Sequence, residues 1–145
     1  MAGDTNRSVV ERYMDAWPGD YDALGPLRHP DFVEEWPQSG ERIHGHEAYR
    51  KIHENYPGGL PAVEPKRIIG SEDRLVLSPS FVPMRLEGRG DLYTVECVNK
   101  YPSGETVFVI VILEMREGKV WRQRTYYAPP FEPPDWRTEW VTRPP

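Results

Sequence analysis

At 145 residues, with 18 lysines and arginines against 23 acids and a net charge of −5, the chain is one domain long and has no basic stripe for a phosphate backbone, which sets nucleic acid aside as a partner. A lone Cys97 forms no internal disulfide, so a reducing, cytoplasmic setting is expected. The polar start MAGDTNRS carries no apolar h-region and the longest apolar run covers only residues 107–113, so neither secretion nor a membrane span is indicated and a soluble protein is expected.

Ser8-Val9-Val10-Glu11 has the spacing of a capping box, and Val10, Tyr13, Met14 and Trp17 recur at helical intervals until Pro18-Gly19, predicting an amphipathic first helix. Asp20 is placed to cap a short second helix that turns Leu24 and Leu27 to the core and ends before Pro30. Residues 32–36 read as a short strand, 37–40 as a turn and 41–43 as a brief return. Gly45 then precedes a third helix over 47–55, with Ala48, Ile52 and Tyr56 on one side. From residue 63 the pattern changes to strands: 63–70, 74–78, 91–101 and two more near the end. Residues 79–90 have no clean period and fit a long loop or an irregular strand. Helices first and sheet second favour α+β over α/β.

The last two strands organise the rest. Residues 107–113 are an unbroken aliphatic and β-branched run, and Glu117-Gly118 supplies the left-handed conformation of a two-residue hairpin. Pairing Arg116 with Lys119 sets Phe108, Ile110, Ile112 and Glu114 opposite Tyr127, Thr125, Gln123 and Trp121, a mixed face suited to a pocket wall. The other face sets Val109, Val111, Leu113 and Met115 opposite Tyr126, Arg124, Arg122 and Val120, an aliphatic row expected to be covered by a second copy in a homodimer. Ser103-Gly104 turns the preceding strand so that Tyr93, Val95, Cys97 and Asn99 lie beside the pocket face. The tail at 128–145 is too proline-rich for sheet or long helix, yet carries Phe131, Trp136 and Trp140. It is expected to pack on the domain or on the partner; a PxxP adaptor ligand is the other reading. The expected organisation is one domain over 1–145.

These pieces in this order resemble the SnoaL-like branch of the nuclear transport factor two-like superfamily. The resemblance rests on VERYMDAW, DFVEEWPQSGERIHGHEAYR and EMREGKVWRQRTYYAPPFEPPDWR. It implies an α+β, cystatin-like barrel: a cone-shaped, curved antiparallel sheet wrapped around a long N-terminal helix, with two further helices, a cavity at one end and dimerisation through the outer sheet face. The fold hosts isomerases, dehydratases, cyclases, epoxide hydrolases and binders alike. Similarity to ketosteroid isomerase sets Tyr13 at the oxyanion-hole tyrosine and Glu35 at the general base. The isomerase's second acid falls at Ile112, and the acid of SnoaL-type polyketide cyclases falls near Ala128; neither position is acidic here. The arginine and two aspartates of limonene epoxide hydrolase have no counterpart.

Glu34 and Glu35 are neighbours on a strand, so one of them faces the cavity, and the resemblance selects Glu35. Glu114 is the second candidate base, and Tyr13 completes the catalytic set. Trp17, Tyr49, His53, Asn99, Trp121, Gln123 and Tyr127 are the expected substrate-binding lining, around a small, largely apolar carbonyl or polycyclic ligand. His44 and His46 form an HxH pair, but Gly45 between strand and helix turns them apart, so no metal is expected. The chain contains no GxSxG elbow, P-loop, GxGxxG or CxxC; acyl transfer, nucleotide and flavin chemistry lack support, and no cofactor is expected. Two functions stay open: a cofactor-free enzyme moving a proton, or a non-catalytic ligand-binding or scaffold module.

Overall fold

In the computed structural model, which describes residues 5–71 and 90–144, the first helix opens at Thr5 rather than at Ser8. The Thr5 hydroxyl accepts the Ser8 amide at 3.1 Å, and the Ser8 hydroxyl donates back to the Thr5 carbonyl at 2.9 Å. Helix α1 (Asn6–Ala16) buries Val9, Val10, Tyr13 and Met14. Asp20 caps α2 (Tyr21–Leu27) by accepting the Ala23 amide at 3.2 Å, and the chain passes directly into β1 (Arg28–Trp36). That strand therefore begins four residues before the Phe32 start that the sequence pattern predicts, and the early start brings Arg28 into the interior, where it is buried.

After β2 (Glu41–His44) and α3 (His46–Glu54) come β3 (Ala62–Gly70), β4 (Leu92–Lys100), β5 (Thr106–Arg116) and β6 (Lys119–Ala128). They form one curved, unclosed sheet in the order β2-β1-β6-β5-β4-β3. Only β1 and β6 pair in parallel; the other neighbours are antiparallel. The α+β class follows from this arrangement. Helix α1 is three turns long, shorter than the long central helix implied by the resemblance. The expected strand at 74–78 and the segment 79–90 lie outside the described residues, apart from Gly90. Among the described residues no helix is long and apolar enough to cross a membrane.

The hairpin turn forms as its residues dictate: Glu117 and Gly118 take φ of 53° and 74°, and Arg116 pairs with Lys119. One step further the register departs from the simple continuation. Met115 pairs with Val120 and Glu114 with Arg122, so Trp121 is the extra residue of a bulge. A one-residue slip sends every side chain beyond it to the opposite face. Val111 is thus paired with Thr125, Leu113 with Gln123 and Val109 with Tyr127. The Ser103-Gly104 turn slips likewise, pairing Asn99 with Val107.

The consequence inverts β5 relative to its two neighbours. Val109, Val111, Leu113 and Met115 are the buried inner face, not a dimer surface, and they meet Tyr93, Val95 and Cys97 in the core. The outer face carries Phe108, Ile110, Ile112 and Glu114 with Arg122 and Arg124, and Phe108 is 51% exposed. Helix α3 is also turned relative to expectation: it buries Tyr49 and His53, while Ile52 and Tyr56 are exposed. In the tail, Phe131, Trp136 and Trp140 are all more than 70% exposed on the single chain, so they do not pack on their own domain.

Candidate functional site

Arginine 28 enters the interior from the first residue of β1 and has donors only. Its Nε and Nη2 both donate to the Tyr13 hydroxyl, at 2.9 and 2.7 Å, and its Nη1 bonds His46 Nδ1 at 2.9 Å. The guanidinium also lies over the rings of Tyr49 and Phe32, 3.8 and 4.3 Å from their centroids. Among the described residues this buried cation is held by a hydroxyl, an imidazole and ring faces rather than by a direct carboxylate pair. Because arginine cannot accept, His46 Nδ1 must, which keeps His46 neutral; burial and the Arg28 charge lower its pKa further.

The same logic fixes a chain of donors. Two N–H groups occupy the Tyr13 oxygen, so its proton goes to Gln123 Oε1 at 2.6 Å. That orientation leaves the Gln123 amide nitrogen to donate to Thr125 Oγ1 at 3.0 Å, and the Thr125 proton to go to Glu34 Oε2 at 2.9 Å. The Trp36 indole donates to the same carboxyl oxygen at 2.8 Å. Glu34 is fully buried, and its second oxygen, Oε1, has no partner among the described residues. Burial pushes the Glu34 carboxyl up to about 7, against the lowering effect of the Arg28 charge and of the Thr125 and Trp36 hydrogen bonds. Trp17 Nε1 and Asn99 Oδ1 are likewise buried without a partner among the described residues.

Behind this chain, the His53 and Tyr49 rings stack 3.8 Å apart, and His53 Nδ1 donates to the Tyr49 carbonyl at 2.9 Å. Burial lowers His53 to about 4, so its ring is neutral. The Tyr49 hydroxyl donates to the Pro18 carbonyl at 2.7 Å. In front, Trp36 and Tyr127 open onto the surface, where two hollows of about 320 and 210 Å³ adjoin through Tyr56 and Tyr127. Trp36 links the two zones: its ring lines the smaller hollow and its indole N–H holds Glu34.

The family of the chain follows from the sequence that builds this core. The profile of the SnoaL-like domain matches residues 10–123, which span Tyr13, Arg28, Glu34 and Gln123. The chain belongs to the SnoaL-like domain family. Solved structures agree on the fold. An NTF-2-like protein of unknown function from Burkholderia xenovorans is 29% identical, with TM-score 0.70 over 97% of this chain and 95% of that one. A protein provisionally named a ketosteroid isomerase, from Kribbella flavida, is 24% identical with TM-score 0.74 over 97% and 90%. A protein of ketosteroid isomerase-like fold from Catenulispora acidiphila, solved in complex with trimethylamine, is 20% identical with TM-score 0.61 over 86% and 88%. No curated protein matches the chain.

Of the site residues expected from sequence, the SnoaL-like fold gathers Tyr13, Trp17, Tyr49, His53, Asn99 and Gln123 inside the sheet, all buried, and sets Tyr127 at the open end. Their side chains pack against one another in a polar core rather than standing back around an open cavity. Three others lie elsewhere. Glu35 points to the outer face, 3.7 Å from Arg42, and Glu114 sits there opposite Arg122. Trp121, displaced by the bulge, is flanked by Arg116 and Arg122, whose guanidinium carbons lie 4.9 and 4.1 Å from its centroid. The inward acid is Glu34. Strict alternation from the buried Phe32 already sets Glu34 on its face, a signal that the resemblance to ketosteroid isomerase overrode. Arg28 and its bond to His46 were not expected, and Thr125, expected on the pocket-wall face, was given no role there.

A carboxyl whose pKa rises from 4.5 to about 7 on folding favours the native state while it is neutral, so its contribution is full below pH 4.5 and lost as pH climbs to 7. His53 has the opposite sign: its depressed pKa costs stability as pH falls from 6.5 toward 4. Glu34→Gln removes only the first effect. Urea unfolding at pH 5 and pH 8 should show the variant gaining about 2–3 kcal/mol on wild type between the two pH values. Parallel pH profiles for the two proteins would refute the buried, raised carboxyl.

Proposed function

We propose that this SnoaL-like chain binds a small, largely apolar carbonyl or polycyclic compound at the open end of its sheet and moves a proton on it with Glu34, without a cofactor. The family supports a ligand-binding or isomerase- and cyclase-type fold, and the trimethylamine complex of the Catenulispora protein supports a small-molecule role for this architecture. The observation that carries the proton-transfer reading is the state of Glu34: buried, raised to about 7, with both protein hydrogen bonds on Oε2 and its Oε1 unpartnered among the described residues. A base of that pKa exchanges protons near neutrality in both directions. Tyr13 acts here as a positioning group, since its proton is committed to Gln123 and its oxygen to Arg28.

The packed interior around Glu34 favours a second reading, a binder that performs no chemistry. One experiment separates them: deuterium incorporation next to the carbonyl of a small cyclic ketone in D2O, followed by NMR. Proton transfer predicts that Glu34→Gln slows exchange by about 10²-fold or more while Glu35→Gln and Glu114→Gln do not. If wild type gives no exchange above buffer, or Glu34→Gln matches it, the binder reading takes its place.

We also propose that a second copy of the chain covers the outer face of the sheet, where Ile69, Leu92, Phe108 and Ile110 are exposed. Patches of this kind on soluble proteins mark interaction surfaces. Sedimentation equilibrium at micromolar concentration should give a dimer, and Ile110→Glu a folded monomer. Val111→Glu, which buries an unpaired charge in the core, should instead lose the folded state. A wild-type monomer, or an Ile110→Glu variant that stays dimeric, would contradict this interface.

A further inference from the structure

The open end of the sheet, where the proposed carbonyl ligand would also enter, carries a cluster of rings with a recognition chemistry of its own. Tyr56 follows α3, Tyr101 follows β4, and Tyr127 and Trp36 end β6 and β1, so four separate elements bring one aromatic side chain each to the same rim. Tyr56 and Tyr101 lie nearly parallel, with centroids 6.0 Å apart and planes inclined by 21°. None of the four is fully buried, and Tyr56 is 38% exposed, so ring surface is left open to solvent. Gln38 is already engaged, its Oε1 accepting the Tyr127 amide at 2.6 Å.

The charge around these rings has one sign. Among the described residues lining the two hollows there is one acid, Glu105, and no lysine, arginine or histidine. The chain as a whole is at −5. The face of an aromatic ring is the negative end of its quadrupole, so several phenol and indole faces beside a carboxylate attract a poorly hydrated cation and repel an anion. The hollows, at about 320 and 210 Å³, suit a small organic molecule rather than a chain segment. A primary ammonium holds its water tightly, whereas an alkylated one presents methyl groups to the rings and loses little hydration on entering.

We infer that this rim is a recognition site for a small alkylated ammonium group, held on the faces of Tyr56, Tyr101, Tyr127 and Trp36 with Glu105 as its counter-charge. The site stands apart from proton transfer by Glu34: it requires ring faces and a carboxylate at the surface, not a titrating group in the core.

The test compares choline with 3,3-dimethylbutan-1-ol, which has the same shape without the charge, by NMR titration of the wild-type protein at low ionic strength. Choline should bind at least about tenfold more tightly than the alcohol, an energy within the range of desolvated cation–ring contacts. Tyr56→Leu should lose most of that preference and Tyr56→Phe should keep it, because the ring face rather than the hydroxyl is the binding surface. Glu105→Gln should weaken choline severalfold and flatten its salt dependence without changing the alcohol. Equal affinity for the two probes, no binding of choline, or an unchanged preference in Tyr56→Leu would overturn the inference. Since Tyr56 and Glu105 are exposed, these variants should fold as wild type does. Loss of ketone exchange in Glu34→Gln and loss of choline preference in Tyr56→Leu are separate readouts, so either reading can fail alone.

Discussion

The hydrogen-bonded chain that runs from Tyr13 to Glu34 through the interior takes its direction from one group that cannot accept a hydrogen bond. Arg28 places two N–H donors on the Tyr13 oxygen and one on His46, and from there each partner has a single remaining option: Tyr13 donates to Gln123, Gln123 to Thr125, Thr125 to Glu34. The chain of donors ends on a carboxyl oxygen. A buried guanidinium is tolerated because ring faces of Tyr49, Phe32 and Tyr13 surround it. The early start of β1 is what delivers it there, and Gly25 allows the close approach: a Cβ on Gly25 would meet His46 Nε2 at 3.1 Å.

Two opposing influences set the state of Glu34. Withdrawal from water raises its pKa, while the Arg28 charge and two hydrogen bonds to Oε2 lower it. Burial wins by a margin that leaves the carboxyl near neutrality instead of permanently protonated. The indole of Trp36 belongs to both zones of the site, lining the smaller hollow while its N–H donates to Glu34 Oε2. In the proposed reading the labour is divided: Glu34 in the core moves the proton, and the ring surface at the rim receives a ligand.

The fold was legible because its signals are local. Asp20 capping α2, the Glu117-Gly118 turn and the change from helical to alternating periodicity each depend on a few adjacent residues. The faces of the sheet were not, because they depend on a count. A bulge at Trp121 and a one-residue difference at the Ser103-Gly104 turn exchange the inner and outer faces of β5, and no residue type announces either. The aliphatic row Val109, Val111, Leu113 and Met115 fits a core as readily as an interface. Helical spacing did identify the buried side of α1, with Val10, Tyr13 and Met14 inside and Trp17 buried just after it, whereas on α3 it pointed to Ile52 and Tyr56 instead of Tyr49 and His53. Glu34 against Glu35 was a matter of alternation from Phe32. Arg28 stayed hidden because a charged residue at a helix end reads as a surface group until the strand it begins is known to be interior.

The account stands or falls on the protonation of Glu34 in the folded protein. A pH titration of its side-chain carboxyl carbon by NMR, with the resonance assigned from Glu34→Gln, measures this directly. A midpoint near 7 is what the buried, Arg28-directed network predicts. A midpoint at or below the ordinary glutamate value of about 4.3 would mean that the carboxyl is ionised and solvated, and would contradict the account.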